Sequence, residues 1–494
     1  MVPVKQKLIA PLLVLLGFYA HAQQFDFNPA CRQAYNTMLA LKINQGRAML
    51  KLEEQHNPNN FIAVYLENYA DFLLVYTTES RRLYDSLKKN EDLRLALIAS
   101  GDATSPYYLF TQAEINLQWA ALNLQFGEYM NAVFGIRRAF KMLEQNRKKF
   151  PGFRANEKSL GVLYALLGSV PDKYKWGVTL LGMEGNVPQG MGYLSGLMEY
   201  SNHNDFIYRN ETIVYDAFLL QHLEDSTEQA WQLLQNSGLL QTNNLLGCFI
   251  GAHVGIYGHH TDEALLLLQN RPQPDTTTAF PFLDYLQGLG KLNRQDADAA
   301  SYFKKFLAEY KGENHVKAAY QKIAWCYLLQ ADTANYFHFI EKAVYMGNAT
   351  LDADKQARKE AEAHRTPNVD LLRARLLCDG GYYNRAAGLM NRLTENNFTN
   401  PDDKTEYLYR LGRIYADWGK TDSALVYYQL AFEKGRNITR YFAANAAYES
   451  GRIYEQRNDK QKAIDYYNLC LSLPDHEYKD GLDQKAKAGL NRLK

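Results

Sequence analysis

Along most of the chain apolar residues return every three or four positions, and no segment sustains the alternation of a strand. The clearest stretches are "LGRIYADWGKTDSALVYYQLAF", Leu411 to Phe432, and "SGRIYEQRNDKQKAIDYYNLCL", Ser450 to Leu471, offset by 39 residues. In the first, Leu408, Leu411, Gly412 and Tyr415 fall at i, i+3, i+4 and i+7, one face of a helix. Gly419 suits a turn, and Ala424, Tyr428 and Ala431 form the face of a second helix. Two antiparallel helices approach closely only where side chains are small. Gly412 and Ala424 therefore predict a tight helix pair, with Tyr415 and Tyr428 filling the space beside it and Ala431 letting the next unit dock. In the second copy Gly451, Tyr454, Ala463, Tyr467 and Cys470 take the same places, with Pro474 near the end.

The spacing of twelve between small residues recurs at Ala120/Ala132, Ala252/Ala264, Gly288/Ala300 and Ala374/Ala386, while Tyr336 replaces the expected alanine after Ala324. Repetition at roughly 35–40 residues is the mark of a stacked array rather than a single core. The pattern resembles the tetratricopeptide repeat (TPR), read as L-G-x2-Y, then A-x3-F, A and P. The resemblance is clear over residues 279–494, moderate over 105–150 and 240–270, and poor elsewhere. It implies an all-α fold, a right-handed superhelical solenoid of antiparallel helix pairs. Prolines after the N-terminal segment fall at predicted helix ends or loops, which agrees.

The predicted organisation is a signal peptide at 1–22, N-terminal helical repeats at 23–166 and a glycine-rich irregular insertion at 167–196. Degenerate repeats follow at 197–270, a linker at 271–281 and a C-terminal TPR array at 282–494. The insertion carries seven glycines and two prolines, and Pro171 cuts off the expected partner of the helix around Leu160, Gly161 and Tyr164. "NRPQPDTTTAFP", Asn270 to Pro281, reads as the place where the array divides.

At 494 residues the chain is too long for one compact core. Lys and Arg number 55 against 54 Asp and Glu, which gives no global charge bias toward nucleic acid or anionic lipid. The 36 tyrosines and 23 phenylalanines are read first as packing between helices and second as a stacking surface for sugars. The first residues, "MVPVKQKLIAPLLVLLGFYAHAQQF", have a basic start, an apolar stretch and Ala20-His21-Ala22 as a cleavage site, the form of a secretory signal peptide cut after Ala22. The expected location is the periplasm or cell envelope of a bacterium, with no integral membrane segment in the mature chain. Cys31, Cys248, Cys326, Cys378 and Cys470 are scattered and odd in number, so they are expected as buried thiols rather than a disulfide frame.

Catalytic and metal patterns are missing from the sequence. His259-His260 with Asp262 and Glu263 reads as a turn capped by Thr261, not a metal set, and "GYLSG" holds its serine one place off a nucleophile elbow. No cofactor, metal site or catalytic residue is assigned, and the chain is read as a non-enzyme.

The TPR resemblance implies that the first helix of each repeat lines a concave groove. The residue after each small position is Arg375, Arg413 and Arg452, and four residues before each arginine stand Leu371, Tyr409 and Tyr448. Stacking would then place an Arg ladder beside an aromatic ladder on one wall, suited to a protein or peptide with an acidic or C-terminal carboxylate segment. Asp379 and Asp417 lie four residues beyond the first two arginines and could neutralise them on their own helices, whereas Gln456 leaves Arg452 less matched. The leading expectation is an exported scaffold mediating protein–protein interaction. The alternative is a glycan- or nutrient-binding protein of the SusD-like kind with aromatic platforms.

Overall fold

The structure, a computed structural model, describes residues 24–170, 172–223, 226–241, 244–272 and 280–493. The expected signal peptide and most of the 271–281 connection lie outside the described residues. Every described element is helical.

Successive antiparallel pairs begin with Pro29–Leu39 and Ile43–His56, then Phe61–Thr78 and Lys89–Ala99, then Pro106–Gln125 and Tyr129–Lys149. Next come Ala155–Ser169 with Val187–His203, Arg209–His222 with Thr227–Ser237, and Leu245–Tyr257 with Thr261–Gln269. Phe282–Arg294 with Ala299–Glu309 and Val316–Leu329 with Thr333–Tyr345 complete this run, which a lone helix, Asp352–Glu362, closes. A second run pairs Val369–Asp379 with Tyr383–Met390, Pro401–Asp417 with Thr421–Gly435, and Phe442–Gln456 with Lys460–Ser472. It too ends in a lone helix, Lys479–Arg492. Within each run the first helix of a unit packs on both helices of the unit before it.

Local chemistry sets these boundaries. Asn28-Pro29, Ser105-Pro106 and Asn400-Pro401 start first helices, the Asn or Ser side chain accepting from a first-turn N–H and Pro filling a position that needs no donor. One turn recurs inside most of the pairs. Positive φ recurs at Leu41, Gly127, His259, Ala331, Gly381, Gly419 and Asn458. The next N–H then reaches back five residues: Lys420 to the Tyr415 carbonyl at 2.8 Å, Asp459 to Tyr454 at 2.9 Å, Asp332 to Tyr327 at 2.9 Å and Glu128 to Asn123 at 2.7 Å. This closure satisfies carbonyls the helix end would leave open. Its recurrence from Leu41 to Asn458 extends the repeat well beyond the two best-patterned copies.

The small positions pack as expected at Ala120/Ala132, Ala252/Ala264 and Ala374/Ala386, all buried. One register shifts: in the unit beginning at Phe282 the buried alanine is Ala299, not Ala300, and Gly288 faces the Phe303 ring. All five cysteines are buried free thiols.

Two expectations about organisation are corrected. The glycine-rich 167–196 segment is not irregular, because it holds helix Asp172–Leu180 and most of Val187–His203, the true partner of Ala155–Ser169. Glycine is needed there for contact: a Cβ at Gly190 would strike the Gly161 carbonyl and lie 2.7 Å from the Ala165 Cβ. The division of the array also moves. One core runs from Phe25 to Leu376 across the 271–281 connection, and a separate core begins at Leu371. The array therefore breaks after Asp352–Glu362, inside the span 282–494 read as continuous. The helix that follows, Val369–Asp379, packs instead on Phe282–Arg294 and Val316–Leu329.

Candidate interaction groove

The first helices of the second run carry the three arginines. Each follows a packing residue that fixes its direction. Ala374 is fully buried, a Cβ at Gly412 would overlap the Tyr428 ring, and one at Gly451 would come within 2.7 Å of the Tyr467 ring. One residue further along the helix points about 100° away from that contact. Arg375, Arg413 and Arg452 accordingly keep 35%, 26% and 29% side-chain exposure, enough to be reached from solvent.

All three are ion-paired. Arg375 Nε lies 3.6 Å from Asp379, and Arg413 Nη1 lies 2.6 Å from the same carboxylate while its Nε is 3.4 Å from Asp417. Arg452 Nη1 is 3.3 Å from Glu449. The sequence reading matched Arg413 with Asp417 on its own helix, yet its shorter contact crosses to Asp379 of the preceding unit. Arg452, read as less matched, has Glu449 one turn earlier. The Arg ladder is therefore half of an Arg/carboxylate ladder. Burial works to raise the Asp379 carboxyl, and Arg413, Arg375 and Arg410 outweigh it, holding it below the ordinary carboxylate value.

Tyr409 and Tyr448 do not form a groove wall. Both are buried, and each packs on the tyrosine of its own second helix: Tyr409 on Tyr428 with centroids 6.1 Å apart, Tyr448 on Tyr467 at 5.9 Å. The Tyr409 hydroxyl also accepts from Asn445 Nδ2 at 2.6 Å, tying two units together. Tyr409 and Tyr448 stand three residues before Gly412 and Gly451, one turn along from the contact with the second helix, and each is covered by its own Tyr428 or Tyr467, which is why this aromatic ladder is interior. Leu371 is buried in the same way.

Sequence reading missed the neighbour that extends the ladder. Lys322 Nζ sits 3.9 Å from the Trp325 ring centroid, and Arg375 Cζ lies 5.3 Å from the same ring. Trp325 is fixed from beneath by donating to Glu360 at 2.8 Å. Burial, with Arg375 close by, lowers the Lys322 ammonium to about 7. The signal available was Lys322 and Trp325 at i, i+3, a spacing too common to stand out. At the other side the surroundings of the Tyr257 hydroxyl and the nearby Asp379 carboxylate push its phenol up to about 12, desolvation of the hydroxyl being the larger cause.

The doubled histidine serves two different neighbours. His260 stacks on Trp231 at 4.8 Å and meets Glu228 at 2.9 Å, while His259 Nδ1 lies 3.2 Å from the Asp379 carbonyl. Thr261 does not cap the helix: it is its first residue, and its buried hydroxyl has no hydrogen-bond partner among the described residues. Among the described residues no group of three or more His, Cys, Asp or Glu is placed to hold a metal ion, and no described helix is long and apolar enough to cross a membrane.

Comparison with known families bears on these units directly. The model of the tetratricopeptide repeat matches residues 405–433 and 444–476. These two segments are tetratricopeptide repeats. No curated protein matches the chain. Both TPRs contain the turn closure and the glycine–tyrosine contact described above, and most of the units before them share the turn. Stacked TPRs present extended concave surfaces that typically take proteins or peptides, and Arg413 and Arg452 stand on the first helices of the two matched repeats.

Proposed function

We propose that the protein is a non-catalytic, exported scaffold of the cell envelope that holds a protein partner along the Arg/carboxylate ladder. The observation that carries this reading is the row Arg375, Arg413 and Arg452, partly exposed and held in register by three successive repeats. A ladder of alternating sign selects a partner whose own charges alternate or whose carboxylates displace Asp379 and Asp417 from the arginines. Such exchange favours specificity over raw affinity, because the arginines are already paired. Export rests on the N-terminal segment ending at Ala22.

The SusD-like glycan reading has less support, since Tyr409, Tyr428, Tyr448 and Tyr467 are all buried. Its best location is a cleft of about 830 Å³ between helix Tyr129–Lys149 and the 182–189 segment, lined by Lys141, Gln145, Lys148 and Tyr164.

The test is an affinity pull-down from envelope extract with mature protein and an Arg413→Glu/Arg452→Glu variant of matched helicity. A protein partner retained by the native chain and reduced at least tenfold by the variant is the expected result. Equal retention by both would remove the ladder as the site, and retention of no protein would turn attention to glycans and the 830 Å³ cleft.

A further inference from the structure

The lone helix Asp352–Glu362 occupies the place of a unit's first helix, packing on both Val316–Leu329 and Thr333–Tyr345. The chain then departs to pack Val369–Asp379 on Phe282–Arg294. No second helix lies beside Asp352–Glu362 among the described residues. Between Thr333–Tyr345 and the end of Asp352–Glu362 lies a cleft of about 350 Å³ whose floor is Tyr336, Ile340 and Ala361. Its wall is apolar and open: Phe337 is 48% exposed and Tyr345 76%.

An uncovered end of an array is ordinarily polar on its outer face. The other lone helix, Lys479–Arg492, allows a direct comparison. Aligning Tyr336 with Ala463 and Ile340 with Tyr467 places Ile464, Asn468 and Ser472 opposite Phe337, Glu341 and Tyr345. At the C-terminal end the most outlying position is a serine; in mid-chain it is a tyrosine. An exposed aromatic wall at a missing-helix position marks a surface that something covers.

Charge decides what covers it. Of the ionised groups on the cleft, Glu362 is paired with Arg358 at 2.7 Å and Arg365 with Asp403 at 2.7 Å. Glu360 accepts from the neutral donors Trp325 at 2.8 Å, Gln321 at 2.6 Å and Tyr336 at 3.4 Å, and neither it nor Glu341 has an ion pair among the described residues. Two carboxylates thus flank an apolar trough. We propose that this cleft receives an amphipathic helix of a partner protein, apolar toward Phe337, Ile340 and Tyr345 and basic along the edges facing Glu341 and Glu360, completing the repeat unit that Asp352–Glu362 begins. It is a second interaction surface, separate from the Arg/carboxylate ladder, and it goes beyond the groove reading.

The experiment places the photo-crosslinker p-benzoylphenylalanine at Tyr345 in the full chain, with Ser472 as the control position, and irradiates cells that make the protein. The expected adduct maps by mass spectrometry to a basic amphipathic helical segment of another protein. It should fall at least tenfold with Glu341→Lys and survive Arg413→Glu, so that failure of the ladder and failure of this cleft are told apart. Circular dichroism confirms that each variant folds. No adduct above the Ser472 level, an adduct with an acidic segment, one with a second copy of this chain, or one indifferent to Glu341→Lys each overturns the proposal.

Discussion

Lys322 and Lys158 show how differently the same side chain fares in this fold. Lys158 is buried between Glu114 at 2.6 Å and Glu211 at 2.7 Å; burial works against its charge, and the two carboxylates raise its ammonium above the ordinary lysine value. Lys322 has an indole on one side and Arg375 as neighbour; burial, reinforced by Arg375, lowers its ammonium to about 7. An unfolded lysine titrates near ~10.4. Between those values the unfolded chain binds the proton that the folded chain has released, so stability rises with pH through that window and the full penalty is present below it. Denaturant midpoints taken from pH 7 to pH 10 should show this rise. Lys322→Gln should flatten it by about 1–2 kcal/mol, allowing for the partial exposure of the amine. An unchanged slope would mean that Lys322 is solvated as an ordinary surface lysine. Neither environment can be read from the neighbouring sequence, because Glu114 and Glu211 at Lys158, and Arg375 at Lys322, come from helices far away along the chain.

At the scale of the element, glycine has opposite effects two residues apart. Gly190 of helix Val187–His203 lies against the Gly161 carbonyl and Ala165, so Gly190→Ala must push the pair of helices apart. Overpacking of this kind costs about 1–3 kcal/mol. Gly192 of the same helix has nothing within 4 Å of a built Cβ, so Gly192→Ala should gain about 0.5–1 kcal/mol from helix propensity alone. Urea unfolding of the two variants checks both signs. Matching effects would show that helix Val187–His203 is not the packed partner of Ala155–Ser169. The glycines were legible as a departure from the repeat; that they mark close helix contact was not, since Pro171 suggested a break where the chain instead inserts a short helix and returns.

The whole molecule is two stacked runs with different cores. The first closes on itself: Asn314 Nδ2 donates to Glu79 at 2.7 Å and to the Gln125 carbonyl at 3.4 Å, joining residues more than 180 positions apart. The second is attached to the first by contacts such as Tyr382 to Asp262 at 2.8 Å and Arg385 to the Arg294 carbonyl at 3.1 Å. Because stability in stacked repeats comes mainly from nearest neighbours, a fragment of residues 366–494 should fold alone. Circular dichroism should show it helical with one cooperative thermal transition. A fragment without such a transition would mean that Leu372 and Leu376, which join the first core, are needed for the second run to hold.

The sequence by itself determined the helix pair. Gly412, Ala424 and Tyr428, and their equivalents 39 residues later, specify it through local spacing and the volume of neighbouring side chains. The turn residues and the Asn-Pro or Ser-Pro starts are equally local, and the order of groove-facing arginines follows once pairs are known to stack. Tertiary structure decided the rest. That Arg413 reaches across to Asp379, that Tyr409 and Tyr448 turn inward, and that the array breaks after Asp352–Glu362 all depend on which unit packs on which. The unit-to-unit angle and the choice of neighbour are sums of many weak contacts spread over both helices, so no short pattern in the chain encodes them.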